Sequence, residues 1–182
     1  MSLVRLVRHG RAAAGWERLD PPLDDVGRAQ ATAMADRLAA LGPLPILTSP
    51  LLRCRQTAAV LAERWGTEPV VEPAVAEIPS PEGVSVAERV EWLKVAMAGT
   101  WSALDRRYRD FRDGVVERVS AIDEDTVIAS HFVAINALIG AAVGDDRLVV
   151  RRLDNCSVTT IEVSAGALRL VEGGHEADTL IR

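Results

Sequence analysis

The sequence predicts a single α/β domain over residues 1–182, a three-layer fold with a mostly parallel central sheet flanked by helices. Three observations predict it. Short apolar, β-branched runs alternate with segments of helical period, the pattern in which helices cross over between strands that run the same way. No internal repeat, low-complexity tract or compositional shift divides the chain. Its 182 residues, 48% hydrophobic and 26% charged, suffice for one buried core with an ordinary polar surface.

The elements follow in order. Residues 3–7 are an apolar run around Arg5 and read as a buried strand. Asp24 opens a long helix with acidic residues in its first turn. Ala31, Met34, Ala35 and Leu38 recur along it at helical spacing, and Gly42-Pro43 ends it. Residues 45–48 form a second strand, 51–65 a helix closed by Gly66, and 69–71 a short third strand. Pro73, Pro79, Pro81 and Gly83 make 73–83 a loop. Residues 85–97 and 102–122 read as helices, 125–130 as a strand and 133–143 as a helix. Residues 158–163 and 168–171, joined around Ala165-Gly166, form a hairpin that adds antiparallel pairing.

Composition excludes several roles. A net charge of −5 argues against broad nucleic-acid binding. No apolar run reaches the roughly 18–20 residues of a membrane span. The start lacks the basic-then-apolar pattern of a secretory leader. Cys54 and Cys156 make neither a disulfide framework nor a metal knuckle, and the three histidines lack metal-ligand spacing. The expected setting is the reducing cytoplasm, with no membrane or nucleic-acid partner and no metal or other cofactor. A chain of this charge that handles an anion must gather its arginines locally.

In open α/β sheets ligands bind beyond the carboxyl ends of strands. Reactive residues follow three of them. Arg8-His9-Gly10 leaves the first strand: arginine offers a planar fork for phosphate oxygens, and a neutral imidazole held through one nitrogen is a nucleophile through the other. Gly10 lets an anion approach the backbone. After the second strand, Ser49-Pro50 reads as a helix start, and Arg53 lies in the first turn, where free amides favour an anion. Arg55, two residues on, points elsewhere and reads as a surface charge. Ser130-His131-Phe132 joins the fourth strand to a helix, which makes the Phe132 amide a further donor. His175, in Gly173-Gly174-His175, reads as a surface residue.

Leu6-Val7-Arg8-His9-Gly10 resembles the N-terminal motif of the histidine phosphatase superfamily, which includes the phosphoglycerate mutases. Leu23, Gly27 and Gln30-Ala31 are similar to its next helix. Ser49-Pro50-Leu51 with Arg53 and Gln56-Thr57-Ala58 resembles its second-arginine motif. Ala76-Glu77-Ile78 is similar to the segment carrying its acid, Ala129-Ser130-His131 to its second histidine, and Asn155 with Ser157-Val158-Thr159 to its late turn into a strand. The motifs are short, but they occur in order over nearly the whole chain.

The resemblance implies a phosphate pocket of Arg8, His9, Arg53 and His131, with His9 as nucleophile and Glu77 as proton donor. It implies a phosphorylated small molecule or a phosphoprotein as substrate. Two arginines and a histidine can spread the charge of a transferring phosphoryl group without a metal. Departures from the pattern are Arg11, Ala12 and Gly15 where family members carry an acidic residue, a threonine or serine, and an asparagine. Phe132 replaces a glycine. Pro79-Ser80-Pro81-Glu82-Gly83 replaces an aromatic-glycine stretch, which leaves Glu82 as a second candidate acid. Hydrolysis is preferred over mutase transfer because the tyrosine-glycine signature after the acid is absent. A non-catalytic binder of phosphorylated ligands is the third reading.

Overall fold

The computed structural model of the chain describes residues 1–13 and 20–177. Six strands form one sheet: β1 (Ser2–Arg8), β2 (Ile46–Thr48), β3 (Val70–Val71), β4 (Thr126–Ser130), β5 (Val158–Ser164) and β6 (Ala167–Glu172). Their spatial order is β3-β2-β4-β1-β5-β6. The β3-β2, β2-β4 and β4-β1 pairs are parallel, and the terminal hairpin adds the antiparallel β1-β5 and β5-β6 pairs.

Alternation of side chains along each strand makes the two faces of the sheet. Val4 and Leu6 face one way with Ile128, Ile161 and Val163. They are covered by Val115 and Val119 of α4 (Arg106–Ser120) and by Ile135, Leu138 and Ile139 of α5 (Phe132–Val143). Val7, Val127 and Ala129 face the other way. There they meet Ala31, Met34 and Leu38 of α1 (Asp25–Leu38) and Cys54, Ala58 and Leu61 of α2 (Leu52–Trp65). Helix α5 is buried from Val133 through Gly140. It has no polar face because its outer side supports a third cluster. In that cluster Val133 and Ala137 pack with Ile78, Trp101, Tyr108, Leu148 and with Leu93 and Ala96 of α3 (Val86–Met97).

Local signals account for most boundaries. Asp24 caps α1 by accepting from Gly27 N at 2.7 Å, and Ser85 caps α3 in a reciprocal box with Glu88. One expectation fails. The segment 102–122 is not one helix: Trp101–Ala103 is a single 3-10 turn, Leu104 and Asp105 are extended, and α4 starts at Arg106. Tertiary hydrogen bonds override the local period here. Trp101 is 1% exposed, and the residue 146 backbone and side chain accept from Trp101 N (2.9 Å) and Ser102 N (3.1 Å).

The strand order reverses between β1 and β4. From β1 the chain runs through α1 to β2 on the β4 side, whereas from β4 it runs through α5 to β5, beyond β1. The two connections diverge and leave a crevice at the carboxyl ends of β1 and β4, the place where such sheets bind ligands.

Candidate active site

Register brings the reactive residues to that crevice. Arg8 of β1 lies beside Ser130 of β4, and Thr48 of β2 lies beside Ala129. His9, Ser49 and His131 therefore leave three adjacent strands at nearly the same level. His9 N donates to Ser130 O at 3.0 Å, and Ser49 N donates to Ala129 O at 3.0 Å.

The His9 turn is held from several sides. Gly10 N donates to Thr57 Oγ1 at 3.0 Å, Thr57 Oγ1 donates to Arg53 O at 2.7 Å, and Asn155 Nδ2 donates to His9 O at 2.8 Å. A Cβ on Gly10 would lie 2.6 Å from Gly27 O, and one on Gly27 would collide with Arg11 O. The turn rests directly on the first turn of α1, and both glycines permit that approach.

His9 Nδ1 lies 2.8 Å from Gly10 O. A carbonyl only accepts, so Nδ1 carries the proton and Nε2 presents its lone pair. Arg53 Nε donates to that Nε2 at 3.2 Å, and Arg53 Nη2 lies 3.2 Å from His131 Nδ1. One guanidinium thus spans both imidazoles, whose ring centroids are 5.2 Å apart. His131 is 0% exposed. With Nδ1 accepting from Arg53, its Nε2–H donates to Ser49 Oγ at 2.7 Å. Glu77 Oε2 lies 3.4 Å from His131 Nδ1 and 3.7 Å from Arg53 Nη2. The Glu77 segment is tied to the same strand end, because Ser130 Oγ donates to Val75 O at 2.7 Å. Arg8 completes the cluster: its Nη1 donates to Leu153 O at 2.6 Å, and its guanidinium sits 5.0 Å above the Phe132 ring. Its buried Nε has no hydrogen-bond partner among the described residues.

Burial, then the charges of Arg53 and Arg8, hold the His9 pKa well below the usual histidine range. His131 is depressed in the same direction by burial first, then by His9 and Arg53. Both imidazoles are therefore neutral near pH 7 and available as acceptors or nucleophiles. Cys54 Sγ lies 3.3 Å from His131 Nε2, but burial pushes this thiol far up and keeps it protonated.

The profile of the histidine phosphatase superfamily (branch 1) matches residues 4–174. The chain belongs to the histidine phosphatase superfamily. It is 29% identical over 185 residues to a Yersinia enterocolitica protein named probable phosphoglycerate mutase GpmB, covering 89% of this chain and 85% of that one. Among solved structures it matches Bacillus stearothermophilus YhfR with a TM-score of 0.77 and 24% identity over 97% and 98% of the two chains. A mycobacterial glucosyl-3-phosphoglycerate phosphatase matches with a TM-score of 0.76 and 22% identity over 97% and 100%. At these identities the structural likenesses establish the fold.

Within this histidine phosphatase fold, Arg8, His9, Arg53, Glu77 and His131 converge, and Phe132 follows His131, the N-cap of α5. Glu82 does not join them. Its side chain is 90% exposed and paired with Arg107 at 3.3 Å. Arg55 and His175 are exposed, as their positions suggested. Arg11 is exposed and pairs with Asp24, while Ala12 bridges to Leu23. Gly15 lies outside the described residues.

Sequence reasoning read Ser49 as helix-start chemistry. Its Oγ does accept from Leu51 N at 3.3 Å, but Leu51 is the N-cap, Asp20 accepts from Leu52 N at 2.8 Å, and the same Ser49 hydroxyl also meets His131. Thr57 and Asn155 were noted only as parts of motifs. Thr57 was legible, because it lies four residues after Arg53 on the same helix face. Asp20 had no local signal, since its partners are 32 and 33 residues away.

Proposed function

We propose that the chain is a metal-independent phosphomonoesterase that works through phosphohistidine on His9. One observation carries the reading. The Nδ1–H of His9 is fixed on Gly10 O, so the Nε2 lone pair is directed at Arg53, between Arg8 and His131. An anionic phosphoryl group entering there takes over the Arg53 contact and meets Arg8 and His131 as well, with the α5 amides beneath it.

His9 Nε2 then attacks phosphorus in line, the P–O bond to the leaving group breaks, and the oxygen takes a proton from Glu77. Glu77, now ionised, removes a proton from water as that water attacks the phosphohistidine. The P–N bond breaks, phosphate departs and neutral His9 returns. Arg8, Arg53 and the imidazole of His131 hold the developing charge throughout. The substrate is a small phosphorylated metabolite or a phosphoprotein. The reading carries the expectation of a cytoplasmic setting in which both cysteines remain thiols.

The names of the curated relatives favour a second reading, in which an alcohol rather than water accepts the phosphoryl group. Both are tested together by incubating the chain, in excess chelator, with aryl phosphates and with each phosphoglycerate isomer. Hydrolysis predicts phosphate release undiminished by chelation. Activity lost to chelation and restored by a divalent ion overturns the metal-independent reading. Isomerisation faster than phosphate release assigns the mutase reading instead.

A further inference from the structure

Cys156 has a left-handed backbone (φ 54°), a conformation that costs any residue with a Cβ. The cause lies in how β5 begins. As far as Val7 and Val158, β1 and β5 pair one residue to one. At the next level Arg8 N donates to Ser157 O at 3.2 Å, while Arg8 O accepts from Cys156 N at 2.9 Å. Two residues thus oppose Arg8 alone. This is a β-bulge whose first residue is left-handed, a place that glycine usually takes. The residues just before it lie over the end of β1. There Leu153 O accepts from Arg8 Nη1 at 2.6 Å, and Asn155 Nδ2 donates to His9 O at 2.8 Å. Residues 153–157 therefore hold the Arg8 backbone, the Arg8 guanidinium and the His9 carbonyl, and Cys156 is the strained member of that set.

Two contacts keep Cys156 in place. Its side chain packs in the core shared by α1 and α2, and its carbonyl accepts from Arg37 Nη2 at 3.2 Å. Arg37 lies in the last turn of α1, where a cation commonly complements the helix dipole. Its guanidinium nevertheless reaches across to the bulge. We propose that Arg37 is a positioning residue for phosphoryl transfer, which holds Cys156 in its left-handed conformation and thereby keeps Arg8 and His9 aimed. The inference rests on the phosphatase reading for the reaction it serves. Without Arg37 the strained peptide relaxes toward ordinary strand geometry, and the Cys156 N–H moves off Arg8 O. In-line attack tolerates little misplacement, so the loss falls on the transition state rather than on the bound anion.

The test measures turnover of an aryl phosphate and calorimetric binding of orthovanadate and of inorganic phosphate. Vanadate takes the five-coordinate geometry of the transition state and bonds the nucleophile, so its affinity reports the aim of His9; phosphate affinity reports pocket charge. The wild-type chain is expected to prefer vanadate. Arg37→Met is expected to lower kcat and vanadate affinity about threefold to tenfold, as loss of one charged hydrogen bond does, with KM and phosphate affinity nearly unchanged. Arg28→Met removes an exposed charge from the same helix and should change none of these. Cys156→Gly adopts the left-handed conformation without support, so combining it with Arg37→Met should make the latter nearly silent. Wild-type turnover and vanadate binding in Arg37→Met overturn the proposal, as does equal weakening of vanadate and phosphate. An undiminished Arg37→Met effect beside Cys156→Gly, or a wild-type chain with no preference for vanadate, overturns it too. Vanadate preference that depends on Arg37, without phosphate release, removes the phosphatase reading and leaves the positioning role standing.

Discussion

Ser49 is the residue whose work was least visible in the sequence. A serine before proline reads as a cap, yet the Ser49 hydroxyl lies 2.7 Å from His131 Nε2 and selects the imidazole tautomer that faces Arg53 and Glu77. Removing a buried partner costs about 1–3 kcal/mol. Ser49→Ala is therefore expected to lower kcat by roughly tenfold to a hundredfold with little change in KM, and Ser49→Thr to recover part of the loss. Equal losses in Ser49→Ala and Ser49→Thr, or a loss confined to KM, contradict this role. The two acids separate similarly. Glu77→Gln should slow alkyl phosphates far more than aryl phosphates, whose leaving oxygen needs little protonation, and Glu82→Gln should not discriminate between them. The reverse pattern would move the proton donor to Glu82. At this scale Arg53 could be told from Arg55 by helix geometry alone, whereas Asp20 could not be placed without the fold.

Among the elements, the strands and caps were legible because their causes are local: β-branched runs, Asp24, Ser85 and Gly66. The break before α4 was not, since Trp101 and Ser102 bond to a residue more than forty positions later. The packing of the His9 turn on α1 is also long-range, and it yields a test. Gly27→Ala places a methyl group against Arg11 O. It is expected to cost about 1–3 kcal/mol in denaturant unfolding and to depress kcat, because relief of the clash must shift the turn that carries His9. Asp24→Ala, which removes the cap bond to Gly27 N and the exposed ion pair with Arg11, should cost about 1 kcal/mol and spare kcat in proportion. Gly27→Ala with unchanged stability and unchanged turnover contradicts the packing argument.

At the scale of the whole molecule, a mostly parallel sheet whose strand order reverses between β1 and β4 gathers residues 8, 9, 53, 77 and 131 at one end. The alternation of strands and helices foretold the sheet and the end at which to look; it could not foretell which side chains would touch. Concentrating these groups in the interior links folding to pH. His9 and His131 have pKa values well below the usual range when folded, so below about pH 6.5 the unfolded chain binds protons that the folded chain refuses. Stability is thus fully present above that pH and is lost as the pH falls through the depressed values. The thermal midpoint should drop between pH 7 and pH 5, with a shallower drop in His9→Gln; parallel profiles contradict neutral burial of His9. Among the described residues no helix is long and apolar enough to cross a membrane. The central claim concerns a single covalent bond, between phosphorus and His9 Nε2. It is tested most directly by quenching the chain during turnover of a phosphomonoester and locating bound phosphate by peptide mass spectrometry. The expected result is base-stable, acid-labile phosphate on His9, absent from His9→Ala, which also loses activity. Phosphate on another residue, or full turnover by His9→Ala, would contradict the account.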